Sequence, residues 1–428
     1  MQRTDLRTCL APFGISSRAA QLVSDAEASL GEVFSRMEAV ARVNQYKVLA
    51  AFQAHNVGLR HFAGTTGYGY DDIGRDTLEK LYAQSLGCED ALVRPLIASG
   101  THALAICLFG LLRKGGALLS ISGQPYDTLH AVIGIDGQGQ GQGSLAEWGV
   151  AYDQVDLLED GRFDREGIAQ KLTSQVQVVA IQRSRGYSVT RPTLSPEAIG
   201  EIAHFVHQLR PDVVVMVDNC YGEFTRLAEP VELGADVIVG SLIKNPGGGL
   251  APTGGYIAGK AELIERISYR MTSPGLGREV GSNAAGYQPY YQGLYMAPHV
   301  VLQSLKGAAL FAKVFETQGY RTLPGAEETR NDIIQSIIFG KREGLIAFCQ
   351  GIQKGSPVDA MAVPEPWDMP GYQHQVIMAA GAFVQGASIE LSADAPMREP
   401  FAAYLQGGLC YDQCFLAAAM ALDAVMRA

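Results

Sequence analysis

The stretch Val237-Ile238-Val239-Gly240-Ser241-Leu242-Ile243-Lys244-Asn245-Pro246-Gly247-Gly248-Gly249 decides how this chain is read. Val237 to Gly240 is a short apolar run with no helical period, which predicts a buried strand, and Lys244 follows just past its end. In α/β sheets, ligands gather at the carboxyl ends of strands. A lysine placed there, ahead of three glycines that let the backbone come close, can form an imine with a carbonyl if its pKa is lowered. The plainer reading is a surface lysine before a glycine turn, and the motif alone leaves both open.

A second run upstream has the same grammar. Val213-Val214-Val215-Met216-Val217-Asp218 is five apolar residues ending in a carboxylate. At the tip of a buried parallel strand, Asp218 could bind a metal, a ribose hydroxyl or a protonated ring nitrogen; as a helix cap it would do none of these. Ala98-Ser99-Gly100-Thr101-His102-Ala103-Leu104 leads into an apolar helix. Small residues at a helix start leave amides that bind phosphate, and His102, one turn in, could stack on a flat ligand. An ordinary capped helix explains the same residues. Thr66 to Arg75 concentrates Tyr68, Tyr70 and Arg75, groups that suit an anion, or else a packed turn. Arg398 could hold a carboxylate bidentately, although most single arginines are solvated. His204 and His207 stand three apart on a predicted helix with no further ligand motif, so a solvated face outweighs a metal site.

Between these motifs, short apolar runs (Ala117 to Ile121, Val176 to Gln182, Val213 to Asp218, Val237 to Gly240, Gly255 to Ala258) alternate with helical patterns such as Thr101 to Arg113 and Ser195 to Gln208. That alternation predicts an α/β domain with a mostly parallel sheet covered on both faces. Before it, Arg18 to Gln53 reads as helix, then Asp76 to Leu86. Gly137 to Ser144, GQGQGQGS, reads as a mobile surface connection. After Ala297 a long helical pattern reaches about Gln318. The last hundred residues mix predicted strands (Ile333 to Phe339, His374 to Ala380, Ser388 to Leu391) with a closing helix, Asp412 to Met426, and suggest a smaller α+β domain. The expected domains are an N-terminal helical arm at 1–56, a large domain at 57–300 and a small one at 301–428.

Bulk properties narrow the function classes. A length of 428 residues implies more than one domain. The net charge of −10 provides no basic footprint for nucleic acid or for an anionic membrane surface. The cysteines number seven, are scattered and include no CxxC pair, which suits free thiols in a reducing compartment. Arg3, Asp5 and Arg7 leave no room for the apolar stretch of a secretory leader, and no apolar run reaches membrane length. The expectation is a cytoplasmic protein with no metal site. A nucleotide-binding α/β protein would want a G-x-G-x-x-G or a G-x-x-x-x-G-K-[ST] after an early strand, and neither occurs.

The order of motifs is more specific than any one of them: a phosphate-type helix start, a strand-tip Asp, then a strand-tip Lys. The words GYGYDDIGRDTLEKLYAQSLGCEDALVRPLIASGTHAL, QPYDTL, VDNCYGEF, SLIKNPGGGLAPTGGYIAG, SPGLGREVG and MREPFAAYLQGGLCYD resemble, from about Phe62 to Asp412, one branch of the fold-type-I pyridoxal-phosphate (PLP) enzymes. That branch is the methionine γ-lyase-like family, often labelled aluminium-resistance or cystathionine β-lyase-like. The resemblance implies a PLP domain with a seven-stranded sheet and a smaller C-terminal domain. It implies Lys244 as the Schiff-base lysine and proton shuttle, and Asp218 as partner of the pyridine nitrogen. Gly100, Thr101 and Ser241 would form the phosphate cup. Tyr126 would lie near the ring; whether it or His102 stacks there stays open. Tyr68 and Tyr70 would reach the phosphate of a neighbouring subunit in a homodimer or homotetramer, and Arg398 would hold the α-carboxylate. The motif SGTHA departs from the Ser-Gly-Met usual in better-known relatives, which blurs the substrate.

The activity implied is β- or γ-elimination from a sulfur amino acid such as cystathionine or methionine. The alternatives are a PLP aminotransferase or replacement enzyme on the same fold and, from another class, a catalytically degenerate stress-response or binding protein.

Overall fold

In the computed structural model, residues 9–368 and 374–428 are described; Arg3, Asp5 and Arg7, on which the reading of the N-terminus rests, lie outside them. The chain divides into two units, Val43–Ala297 and a second made of the N-terminal segment to Arg42 with Pro298–Ala428. The apolar faces of the N-terminal segment pack with the C-terminal one. Val23 and Leu30 lie in one core with Phe348 and Leu422.

The helical pattern expected from Arg18 to Gln53 is two helices, α1 (Ser17–Ala28) and α2 (Gly31–Ala54). The break follows from Ser29, whose hydroxyl donates back to the Ala26 carbonyl at 2.7 Å and closes α1.

The larger unit holds α3 (Ile73–Leu86), β1 (Asp90–Arg94), α4 (Gly100–Leu111), β2 (Ala117–Ser120), α5 (Asp127–Ile133), β3 (Ala151–Gln154), α6 (Arg165–Lys171), β4 (Val176–Gln182), α7 (Pro196–Leu209), β5 (Val214–Asp218), β6 (Val237–Ser241), β7 (Gly255–Gly259) and α8 (Ala261–Met271). The strands form one seven-stranded sheet in the order β1-β7-β6-β5-β4-β2-β3. β3, β2, β4, β5 and β6 run parallel, and β7 lies antiparallel between β6 and β1. The link from β6 to β7 contains Lys244 and the glycine run but no crossover α-helix, so the chain returns antiparallel. Strands β1 and β3 escaped the sequence reading: both are short and carry charged residues, and Arg94 is buried because Glu79 accepts its Nε–H at 2.7 Å and the Val280 and Arg278 carbonyls accept from its terminal nitrogens. The expected Gly-Gln loop is gathered around one carboxylate, since Glu147 accepts the amides of Gly141, Gly143 and Ser144.

α4 is apolar on nearly every face and packs against β6, β7 and α8, burying Leu104, Cys107, Leu108 and Leu111. That packing fixes where its N-terminus lies relative to the ends of β5 and β6.

A helix α9 (Gln288–Thr317) leads to the second unit. There β8 (Arg321–Leu323), β9 (Gln335–Ile338), β10 (Val376–Ala380), β11 (Ser392–Pro396) and β12 (Ala402–Gln406) form an antiparallel sheet, ordered β10-β11-β12-β9-β8. Helices α10 (Arg342–Lys354) and α11 (Tyr411–Val425) pack together, α10 lies on the sheet, and α11 meets α1. The strand expected at Ser388 to Leu391 is instead β11. Its sequence, SADAP, has no β-branched residue, and pairing with β10 and β12 overrides that low propensity.

Candidate active site

Four parallel strands deliver polar residues to one edge of the larger sheet. β6 ends at Ser241, β5 at Asp218, β4 at Gln182, and Ser122 follows β2. The register holds Gln182 beside Asp218 and Asp218 beside Val239, and the Gln182 amide donates to Ser122 Oγ at 2.9 Å. The N-terminus of α4 meets the same edge. Ser99 is extended (φ −166°) and its hydroxyl accepts the His102 amide, which caps the helix. Gly100 lies so close that a Cβ there would stand 3.3 Å from Ser241 Cβ and 3.6 Å from Cys220 Sγ. Thr101 Oγ1 and Thr128 Oγ1 are 2.9 Å apart, tying the start of α4 to the start of α5, where Tyr126 is the N-cap residue.

Lys244 completes this group. Its Nζ lies 4.0 Å from the centre of the Tyr221 ring, a cation–π contact. Burial pulls its ammonium pKa down, but Cys220, Tyr221, Asp218 and Tyr126 face it and together hold it well above the ordinary lysine value. Burial, with Asp218 adding, pushes the Cys220 thiol far above its usual range, so it stays protonated. The Cys220 amide donates to Asp218 Oδ1 at 3.2 Å. Lys244, Asp218, Tyr126, Gly100 and Ser241 are therefore neighbours.

The remaining residues singled out in the sequence sit differently. His102 is exposed, and its Nδ1 accepts the Ala98 amide at 3.1 Å, folding the ring back on the loop. Tyr68 and Tyr70 are 67% and 56% exposed and stack on each other with centroids 5.4 Å apart. Arg75 is not offered to an anion. It is buried, and its guanidinium donates to the Gly69 carbonyl and to Asp76. Arg398 belongs to the smaller unit, where its amide donates to the Pro396 carbonyl and its own carbonyl accepts from Phe401. His207 Nε2 lies 2.9 Å from Asp236 Oδ2, and His204 Nδ1 donates to the Gly200 carbonyl. Among the described residues no group of three or more His, Cys, Asp or Glu side chains is arranged to hold a metal, and no helix is long and apolar enough to cross a membrane.

The edge also carries residues the sequence reading passed over. After β4 comes Arg183-Ser184-Arg185-Gly186-Tyr187-Ser188-Val189-Thr190-Arg191. Arg191 Nη2 donates to Ser122 Oγ at 2.9 Å and Nη1 to the Gln124 carbonyl at 3.1 Å, clamping the segment that bears Tyr126. Burial lowers its pKa to about 10, while Asp218, Asp156 and Tyr152 oppose the shift. Tyr187 lies 5.9 Å from Tyr126, ring to ring. The signal was present: three arginines within nine residues after a strand-like run, the same position in the grammar as Asp218 and Lys244.

Beneath this edge lies a buried polar network. Arg183 Nη1 donates to Glu229 Oε2 (2.9 Å) and to Asn219 Oδ1 (2.7 Å). Asn219 Nδ2 donates to Glu229 Oε2 (3.0 Å) and to the Tyr256 hydroxyl (3.4 Å). The Tyr256 hydroxyl donates to Glu223 Oε1 at 2.7 Å.

Known proteins resemble the chain over nearly its whole length. The family model described as methionine gamma-lyase matches residues 19–426. The uncharacterized protein YnbB of Bacillus subtilis is 50% identical over 403 residues, 94% of this chain and 95% of that protein. A crystal structure of a carbon–sulfur lyase involved in aluminum resistance from Clostridium novyi NT superposes with a TM-score of 0.94 at 48% identity, covering 99% of each chain. The pyridoxal-5'-phosphate-dependent protein YhfS of Escherichia coli shares the fold alone, with a TM-score of 0.60 at 16% identity over 89% of this chain and 94% of that one. With its seven-stranded α/β domain and second antiparallel sheet, the chain has the fold of the fold-type-I PLP-dependent enzymes and belongs to the methionine gamma-lyase family.

Proposed function

We propose that this chain is a PLP-dependent carbon–sulfur lyase that eliminates a thiol from the β- or γ-carbon of a sulfur amino acid such as cystathionine or methionine. The observation that carries the reading is the meeting, on one sheet edge, of an amine, a carboxylate and a close-packed helix start: Lys244, Asp218, and Gly100 against Ser241. Their chemistry suits an aldehyde, a ring nitrogen and a phosphate. The close approach at Gly100, where a Cβ would stand 3.3 Å from Ser241 Cβ, keeps this helix start tight where a phosphate would need bare amides.

Lys244 would hold the cofactor aldehyde and Asp218 the ring nitrogen. Gly100, Thr101 and Ser241 would hold the phosphate, joined by Tyr68 and Tyr70 of a neighbouring subunit. When bound, the cofactor supplies an electron sink for charge developing at the substrate Cα. Lys244 Nζ, once neutral, takes the α-proton and returns it to the product side. Tyr126 is the residue assigned to the face of the ring, because His102 is turned back onto Ala98. Tyr126 also passes a proton to the leaving group, and Arg191 steadies its segment through Gln124. Arg398, in the smaller unit, is the residue assigned to the substrate α-carboxylate.

The test is the visible spectrum of the purified protein before and after borohydride reduction, with mass mapping of the tagged peptide and product analysis. A reducible band whose tag maps to Lys244, with a thiol, a 2-keto acid and ammonia released from a thioether amino acid, is expected. Absence of a tag after added PLP overturns the reading. Amino transfer to a keto acid with no thiol released moves the chain to the aminotransferases.

A further inference from the structure

The edge that bears Lys244 rests on a second acid which the lyase chemistry leaves without a task. Glu223 is completely buried. Its Oε1 accepts the Tyr256 hydroxyl at 2.7 Å, while Oε2 finds no partner among the described residues. The carboxyl lies directly under β6: a Cβ on Gly240 would come within 2.6 Å of Oε1 and 2.4 Å of the Tyr256 ring. That crowding explains a glycine four residues before the lysine. The loop carrying Lys244 is tied to the backbone around Glu223, because Asn245 Nδ2 donates at 3.0 Å to the carbonyls of both Tyr221 and Glu223. Tyr221 in turn supplies the ring under Lys244 Nζ. A buried carboxylate oxygen with no partner is costly, and the cost falls if the group is protonated or faces a cation.

We propose that Glu223 is a positioning residue that governs the charge of Lys244: protonated, it leaves the amine free to shed its proton, and ionised, it holds the ammonium. The proposal rests on the reading of Lys244 as the residue that takes up PLP. The groups around the carboxyl set where it titrates. Burial raises its pKa most and Glu229 adds to this; Tyr256 and Lys244 oppose, and the result is about 8. Tyr82, whose hydroxyl donates to the Pro246 carbonyl, and Cys220 also lie in its field, and burial keeps both protonated. Glu229 is already committed to Arg183, Asn219 and the Phe224 amide. Glu223 is thus a buried acid that changes charge near neutrality under the strand that leads to the amine, and the amine's charge bears on it. The balance is simple: loss of one proton from Glu223 adds one negative charge, and Lys244 must then give up its own proton against that charge before its lone pair can attack a carbonyl.

The experiment follows the rate at which the cofactor-stripped full-length chain takes up PLP onto Lys244, from pH 6 to 9.5, in wild type and in Glu223→Gln. The ratio of the two rates cancels the titration of the reagent. The curves are expected to coincide below about pH 7 and to separate above about pH 8, the wild type lagging by up to about tenfold, the equivalent of one pK unit. A ratio that stays flat across the range, with both proteins folded by circular dichroism, overturns the proposal and makes Glu223 a packing residue. Tyr256→Phe removes the hydroxyl that favours the ionised carboxyl, so the bend in its curve moves to higher pH. If Glu223→Gln does not fold, an unmoved bend in Tyr256→Phe overturns the proposal instead. A wild-type chain that never takes up PLP on Lys244 refutes the lyase reading, a result distinct from either of these.

Discussion

The polar edge of the larger sheet and the aromatic core of the smaller unit are both buried and are built on opposite principles. In the smaller unit Phe311, Phe315, Phe339 and Phe348 meet ring to ring with centroids between 5.1 and 6.1 Å apart. Nothing there needs a hydrogen bond, and edge-to-face packing adds to the area buried. At the sheet edge, Glu223, Asn219 and Arg183 are packed just as deeply and Lys244 is half-buried, but each needs a partner, and some buried polar atoms (Glu223 Oε2, Asn245 Oδ1, Gln182 Oε1) have none among the described residues. The first region gains stability from burial; the second spends it to hold charged groups together at the strand ends. Substitutions in the first region should therefore cost folding, and substitutions in the second should cost chemistry.

The largest effect that would sharpen the contrast is Lys244→Ala. Borohydride tagging should vanish and turnover should fall by at least about a thousandfold, with the melting temperature little changed because the side chain removed is only half-buried. A tag elsewhere with turnover intact would break the distinction. Next is Phe348→Ala, fully buried among three other rings. It should cost about 3–5 kcal/mol in denaturant unfolding, while PLP uptake by the remaining folded chain stays close to wild type. Smallest is Gly100→Ala. Alanine suits a helix start, so unfolding should change by less than about 1 kcal/mol. The 3.3 Å approach to Ser241 should nevertheless weaken PLP retention by roughly tenfold in equilibrium dialysis, about 1.4 kcal/mol. A Gly100→Ala chain that loses stability but retains PLP would place this glycine with the packing residues.

Much of this was legible before any coordinates. The runs ending in Asp218 and Ser241 are strands because their apolar residues have no polar alternation, as expected for strands buried on both faces, and residues at or just past such an end stand at the carboxyl edge of the sheet. Ser99 announced the start of α4 because a hydroxyl before an apolar run is a cap. The mostly parallel order followed from strands alternating with helices.

What stayed hidden depends on partners distant in sequence. Arg94 reads as a surface residue until Glu79 is beside it, and β1 disappears with it. Serine, alanine, aspartate and proline form β11 only because β10 and β12 flank it. Arg75, attractive as an anion ligand, is used up by the Gly69 carbonyl and Asp76. Glu223 looked like an ordinary acid after a strand, and its lone oxygen and its place under Gly240 exist only when β5, β6 and β7 are assembled. The sequence by itself determined the central strands of the larger sheet and which residues stand at their tips, since these are set by local period and by what can be buried. The tertiary structure alone decided which charges are paired, because desolvation and hydrogen bonding depend on groups brought together across the fold.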